Sequence, residues 1–160
     1  MVHEMVAPIR LTVPGTLRYR AIAVRVVAEA ARLVSGSDRR DPMDMLSNDV
    51  RDPFDTAVVS AFSEIFNNVA IHAYQRSGGG VIELAITPGE GEIMIELKDH
   101  GQTFDIDGVT PLPDELDEAS LPEGGMGIHI AKTMLDEVVY EPGPPNLWRL
   151  VKRLPEKLSA

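Results

Sequence analysis

The sequence contains no cysteine among its 160 residues. This absence excludes disulfide bonds, zinc sites built on thiolates and catalytic thiol nucleophiles. It is also consistent with a reducing compartment. Function must therefore be sought in chemistry that needs no thiol.

Basic residues are also few. Lysine and arginine together number 15, against 25 aspartates and glutamates, which gives a formal net charge of -10. Nucleic-acid binding depends on basic side chains that release counterions from phosphates, and an acidic surface repels the same phosphates. We therefore expect no nucleic acid among the partners, and we expect a protein partner to bring basic residues.

Long apolar segments are absent as well. No run of about 18 apolar residues could cross a bilayer, and residues 1–10 include Glu4 and lack the apolar core of a signal peptide. We expect a cytoplasmic protein with no membrane partner. With 44% hydrophobic and 25% charged residues, the composition predicts a single globular domain over residues 1–160, with its core within 9–154.

The order of secondary structure follows from apolar periodicity and from the positions of glycine and proline. The predicted elements are a strand at 9–13, helices at 16–34 and 54–74, a hairpin of strands at 81–87 and 92–98, a helix at 126–135, and strands at 138–140 and 147–153. A long connection at 35–53, with a short helical turn at 43–46, joins the first two helices. This order predicts an α/β (α+β) two-layer sandwich, in which helices cover one face of a mixed, mostly antiparallel sheet.

The second predicted helix carries three polar residues at successive i, i+4 positions. Glu64, Asn68 and His72 fall on one stripe of an α-helical surface, while the apolar residues of the segment form a different arc that can face a core. Taken alone, such a stripe is as typical of a solvent-exposed face.

A second motif lies at the end of a predicted strand, where Asp99 and Gly101 flank one residue. A carboxylate there can accept a hydrogen bond from an exocyclic amino group such as that of adenine, and a glycine permits the close approach of a flat ring. The same pair is also common in ordinary turns.

A third motif is the glycine cluster before the last predicted helix, formed by Gly124, Gly125 and Gly127. Exposed backbone N–H groups at a helix start suit phosphate oxygens. The cluster is neither a dinucleotide-binding fingerprint, which needs a β-α-β unit, nor a Walker loop, which needs Gly-Lys-Ser or Gly-Lys-Thr.

The three motifs in this order resemble the N box and the two glycine boxes of the GHKL ATPases, whose Bergerat fold is shared by gyrase, Hsp90, MutL and histidine kinases. Within that group, segments 63–74, 123–128 and 134–138 are similar to the anti-sigma factor serine/threonine kinases of the RsbW and SpoIIAB group. The resemblance extends from about residue 9 to residue 154.

This resemblance implies roles for the helix and strand residues. Asn68 would supply an amide oxygen to Mg²⁺, and Glu64 would be the general base for a serine or threonine hydroxyl. Asp99 would select the adenine of ATP, and Gly101 would make room beside it. His72 would support the nucleotide site.

The resemblance also implies a phosphate site and a lid. The cluster of Gly124, Gly125 and Gly127 would cover the phosphates, and the region 100–125 would form an ATP lid. Many relatives carry a threonine near the last strand that completes adenine recognition. Because this sequence has none there, Asn146 is the candidate replacement.

The implied function is an ATP-dependent anti-sigma factor kinase that forms a homodimer. It would phosphorylate a STAS-domain anti-sigma factor antagonist and regulate a sigma factor. Three alternatives remain open: a nucleotide-dependent binding switch without kinase activity, the detached ATPase domain of a two-component histidine kinase, and a plain interaction domain. We expect a histidine kinase to carry a helical dimerisation segment with its accepting histidine, which the residues before Thr16 do not supply.

Overall fold

The chain folds into one antiparallel sheet with helices packed against it. A computed structural model describes residues 6–39, 52–74, 80–103 and 126–156. In chain order the elements are β1 (Ile9–Pro14), a 3₁₀ turn (Leu17–Tyr19), α1 (Arg20–Ser35), a second 3₁₀ turn (Ser37–Arg39), α2 (Pro53–Asn68), a π-helical turn (Val69–Ala73), β2 (Val81–Pro88), β3 (Glu92–Asp99), α3 (Met126–Met134), β4 (Glu137–Glu141) and β5 (Asn146–Arg153).

The described strands lie in the order β1-β2-β3-β5-β4. Every neighbouring pair is antiparallel, so the predicted two-layer fold is confirmed, and the parallel pairing implied by a mixed sheet is not seen among the described strands. The predicted hairpin is β2 and β3. Pairing of β3 with β5 places Asp99 directly opposite Asn146.

The hydrophobic core lies between the helices and one face of the sheet. In β2, the buried residues Ile82, Leu84 and Ile86 alternate with more exposed neighbours, as expected for a strand with one covered face. Side chains from the helix layer and from the sheet meet there, including Phe62, Phe66, Ile95, Leu97, Trp148 and Leu150. Burying each of the larger side chains stabilises the fold by about 1.5 to 3 kcal/mol.

The other face of the sheet is open and charged. Arg153 forms ion pairs with Glu92 at 3.2 Å and with Glu137 at 2.6 Å, and Arg149 lies 3.6 Å from Glu96. These exposed pairs link neighbouring strands, but each contributes little to stability because water screens them. None of the residues of the predicted site takes part in these ion pairs.

The start of α2 is fixed by its first residues. The Asp52 side chain caps the helix by accepting hydrogen bonds from the N–H groups of Phe54 at 2.9 Å and Asp55 at 3.4 Å. Pro53 occupies the first helical position, where its missing N–H costs nothing. The predicted helical turn at 43–46 lies outside the described residues.

The prediction of one continuous helix over 54–74 is wrong at its C-terminal end. α-Helical geometry stops at Asn68, and Val69–Ala73 forms a π-helical turn. A π turn contains more residues than an α turn, so His72 leaves the i, i+4 line that runs from Glu64 through Asn68. The widened turn ends at Ala73, whose carbonyl accepts a hydrogen bond from the Gln102 N–H at 2.9 Å.

Across the described ranges, the helices are too short or too polar for any of them to cross a membrane.

Candidate functional site

Asp99 lies at the end of β3 and is almost fully buried, with 2% of its surface exposed. Its Oδ1 accepts hydrogen bonds from the Gly101 N–H at 2.9 Å and from Asn146 Nδ2 at 3.0 Å. Its Oδ2 accepts none from the described residues. One carboxylate oxygen is thus held by the protein, while the other remains available to a donor.

Asn146 lies behind this carboxylate, because β5 pairs with β3 in that register. Its side chain is 1% exposed, and its amide is used entirely within the protein. Nδ2 donates to Asp99 Oδ1, to Gly101 O at 3.0 Å and to Gln102 O at 3.4 Å, and Oδ1 accepts from Gly143 N–H at 3.0 Å and Thr103 Oγ1 at 3.3 Å. Asn146 therefore orients Asp99, and its direct contact with a base stays a prediction.

Gly101 is required by a close approach of two backbone segments. A Cβ at this position would overlap the carbonyl group of Ala73 and would lie 2.7 Å from the Ala73 Cβ. The glycine thus lets the loop after β3 pack against the end of the π-helical turn. That Gly101 makes room beside the adenine stays a prediction.

A narrow cleft separates the end of α2 from the sheet. Asn68, His72 and Asp99, which come from distant parts of the sequence, all line it, together with Gln102, Tyr140 and Trp148. Its free volume is about 10 Å³, enough for about one water molecule. A purine therefore requires the walls of the cleft to move apart.

Asn68 differs from Asn146 in having an uncommitted amide. Its Nδ2 is buried without a hydrogen-bond partner, and its Oδ1 receives no hydrogen bond from the described residues. A buried amide without a partner costs about 1 to 3 kcal/mol, so a ligand that satisfies this group would gain affinity. The amide of Asn68, on the α2 side of the cleft, therefore suits a ligand with polar groups.

Glu64 lies one helical turn before Asn68 and contacts the start of α3. A Cβ added to Gly127 would lie 2.6 Å from Glu64 Oε2 and 3.3 Å from Glu64 Cβ. The glycine therefore allows the first turn of α3 to pack against this carboxylate, where the helix dipole favours negative charge. Gly124, Gly125 and the predicted lid from residue 104 onward lie outside the described residues.

Tyr74, which follows the π-helical turn, is a member of the site that the sequence motifs do not assign. Burial raises the pKa of its hydroxyl above the ordinary range, although the hydrogen bond from the His100 N–H acts in the opposite direction. The negative charge of Asp99 raises this pKa further. Its hydroxyl bonds to the backbone of Val81, at the start of β2, and to that of His100, just after β3, and the second contact is a tertiary one that local sequence does not reveal.

No cluster of three or more histidine, cysteine, aspartate or glutamate side chains suited to a metal occurs in the parts of the chain that the structure describes. Asn68 is the polar group of the cleft that carries an unengaged oxygen on the helix side. Mg²⁺ commonly takes only one or two protein ligands and completes its shell with phosphates and water. The residues present are compatible with that arrangement.

Comparison with known proteins gives the class of this fold and site. A family model described as a histidine kinase-like ATPase domain matches residues 13–150. The match covers most of the chain and includes α2, the end of β3 and α3. The chain therefore belongs to the histidine kinase-like ATPase domain family.

The chain is also similar to curated proteins over about half of its length. The chain is 33% identical over 82 residues to the serine-protein kinase RsbW of Bacillus licheniformis, covering 49% of this chain and 51% of the relative. It is 29% identical over 89 residues to the anti-sigma F factor of Clostridium botulinum (strain Eklund 17B / Type B), covering 52% of this chain and 59% of the relative. The chain spans about half the length of the curated relatives it matches.

Proposed function

We propose that this chain binds Mg-ATP and transfers a phosphoryl group to a serine or threonine of an anti-sigma factor antagonist of the STAS type. The observation that carries the proposal is the pairing of two available groups across one cleft. Asp99 Oδ2 lies on the sheet side, and the uncommitted amide of Asn68 lies on the helix side. Membership of an ATPase domain family supports ATP as the ligand.

The sheet side of the cleft binds the base. Asp99 accepts a hydrogen bond from the 6-amino group of adenine, because a carboxylate is an acceptor only and its Oδ1 is already occupied. Guanine has a carbonyl oxygen at the same position, so it would meet a second acceptor. This difference makes the site selective for adenine.

The residues for metal binding and phosphoryl transfer lie on the helix side of the cleft. The Asn68 amide oxygen would hold Mg²⁺, and Gly124, Gly125 and Gly127 would supply backbone N–H groups to the phosphates. ATP, when bound, supplies the phosphoryl group. Glu64 accepts the proton of the attacking hydroxyl as a general base, and its contact with Gly127 keeps the carboxylate beside the phosphate-binding helix start.

The partner is inferred from the names of the relatives, and the oligomeric state from the resemblance to anti-sigma factor kinases. Proteins named serine-protein kinase RsbW and anti-sigma F factor are similar in sequence to about half of this chain. We infer that the chain acts as a homodimer and regulates a sigma factor through the antagonist. Its net charge of -10 favours a partner surface with basic residues, and phosphate added at that surface promotes release by charge repulsion.

Calorimetric titration with Mg-ATP tests the nucleotide site. The wild-type chain should bind, and Asp99→Asn should weaken binding by about 1.5 to 3 kcal/mol, the range for a hydrogen bond to a charged group. Asp136→Asn, which makes the same change beyond the end of α3, should bind as the wild type does. Equal affinities of Asp99→Asn and wild type would contradict the placement of the base.

Phosphosite mapping tests the reaction. The chain is incubated with ATP and candidate antagonists, and the products are analysed by mass spectrometry for phosphoserine and phosphothreonine. Modification of one hydroxyl residue supports the kinase. Nucleotide-dependent capture of an antagonist without any phosphorylation would support a binding switch instead, and phosphoaspartate on a response regulator would support a histidine-kinase module.

A further inference from the structure

Tyr74 connects three segments of the chain around the Asp99 turn. Its hydroxyl donates a hydrogen bond to the Val81 carbonyl at 2.6 Å, at the start of β2. It also accepts a hydrogen bond from the His100 N–H at 2.9 Å, just after β3. Because Tyr74 itself follows the π-helical turn, one hydroxyl ties the end of the helix to two strands.

The ring of Tyr74 is fixed by a slot formed from two glycines. A Cβ on Gly15 would lie 2.6 Å from the ring atom Cε2, and a Cβ on Gly80 would overlap the ring. The two glycines are joined by a hydrogen bond from Gly15 N–H to Gly80 O at 2.9 Å. Since the slot closes on both sides of the ring, the hydroxyl is held at one position.

The position of that hydroxyl determines the turn that carries the acceptor. His100 lies between Asp99 and Gly101, and Gly101 N–H donates to Asp99 Oδ1 at 2.9 Å. Holding the His100 backbone therefore holds both ends of this turn. Asn146 fixes the carboxylate from the β5 side, and Tyr74 fixes its backbone from the helix side.

We propose that Tyr74 is a positioning residue for recognition of the exocyclic amino group of the base. Its hydroxyl keeps the His100 backbone in place, so that Asp99 Oδ2 faces the cleft at a constant orientation. Tyr74 acts through Asp99. This inference rests on the proposed nucleotide function and adds the residue on which its base selectivity depends.

The test measures how strongly the protein prefers ATP over a nucleotide without the 6-amino group, in addition to the affinity for ATP. Dissociation constants are determined by calorimetry for Mg-ATP and for the Mg complex of purine riboside 5′-triphosphate, which lacks the 6-amino group. The ratio of the two constants reports how well that group is read. A partly unfolded variant weakens both ligands by the same factor, so a purely structural defect leaves the ratio unchanged.

Tyr74→Phe keeps the ring in its slot and removes only the hydroxyl. We expect the ratio to fall by about three- to tenfold relative to the wild type, the equivalent of one ordinary hydrogen bond. Binding of the purine riboside nucleotide should change by less than about twofold on the same reasoning. Tyr19→Phe, which removes a hydroxyl from another partly buried ring, should keep the wild-type ratio.

Three results would overturn the inference, and they are distinguishable. If Tyr74→Phe has the wild-type ratio while the wild type prefers ATP, Tyr74 does not position the acceptor. If the wild type binds both nucleotides equally, the amino group is not read. If the wild type binds neither, the proposed nucleotide function fails together with the inference.

Discussion

The two walls of the cleft differ in how their asparagines are used. On the sheet side, Asn146 is buried, and both its Nδ2 and its Oδ1 form hydrogen bonds within the protein. On the helix side, Asn68 has a buried Nδ2 with no partner. The sheet wall is therefore held in one arrangement by the protein itself, whereas the helix wall contains a buried polar group that the described residues leave unsatisfied.

Because of this contrast, we expect substitutions on one wall to change mainly stability and substitutions on the other wall to change mainly function. Changes on the sheet wall remove contacts that the folded chain already makes. Changes on the helix wall remove contacts that form only with substrate. The same substitution should then have opposite consequences on the two sides.

The largest effect is expected for Glu64→Gln on the helix wall. Loss of the general base should slow phosphoryl transfer by about 10² to 10⁴, while Mg-ATP affinity and stability stay near wild type. Single-turnover transfer to the antagonist measures this, together with calorimetry on the same protein. Glu83→Gln makes the same charge change on the open face of the sheet and should transfer phosphate normally. Wild-type transfer by Glu64→Gln would remove Glu64 from the chemistry.

The next effect is expected for Asn146→Ala on the sheet wall. The change removes the amide donor of the buried Asp99 Oδ1, which keeps its bond from the Gly101 N–H, and the acceptor of the Gly143 N–H, which lies on an exposed turn. We expect the free energy of unfolding to fall by about 1 to 3 kcal/mol, the range for one buried polar group that loses a partner. Urea denaturation followed by circular dichroism measures the loss.

Asn68→Ala is the matched change on the opposite wall. It removes an amide whose buried Nδ2 has no hydrogen-bond partner among the described residues, so the free energy of unfolding should stay near the wild-type value or rise by up to about 1 to 3 kcal/mol, the cost of that unsatisfied group. The Mg²⁺-dependent part of ATP affinity should be lost instead. If both alanine variants lost stability equally, the contrast between the two walls would be wrong.

The smallest effect is an alkaline loss of stability that depends on Tyr74. Burial raises the pKa of Tyr74 in the folded chain above its unfolded value. The associated stabilisation is therefore complete below the unfolded pKa of about 10 and is lost as pH rises through the folded pKa. The difference in unfolding free energy between wild type and Tyr74→Phe should be constant at neutral pH and shrink above about pH 10. A constant difference throughout would mean that the Tyr74 hydroxyl titrates as it does in the unfolded chain.

Much of the sheet wall follows from local sequence. Alternating apolar residues and glycine-proline turns predict β2 and β3, and a strand ending in Asp99 places the carboxylate at a rigid position. The same patterns do not reveal the partner of that carboxylate. Asn146 is opposite Asp99 only because β5 pairs with β3 in one register, which is a tertiary property.

The helix wall was harder to predict because its geometry changes within one helix. The i, i+4 spacing places Glu64 and Asn68 correctly on a shared face, but it assumes α geometry through His72. The π-helical turn contacts the distant loop at Gly101 and Gln102, and such a tertiary contact cannot be read from local spacing. Packing of Gly127 against Glu64 is likewise set by how two helices meet.

Trp148 makes the cleft observable by intrinsic fluorescence. It is the only tryptophan in the chain, it is 2% exposed, and its ring centroid lies 4.5 Å from that of Tyr140. Both rings line the cleft that must widen for a purine. Intrinsic tryptophan emission therefore originates from the wall of the candidate site, and opening of that wall can be followed on the unlabelled protein.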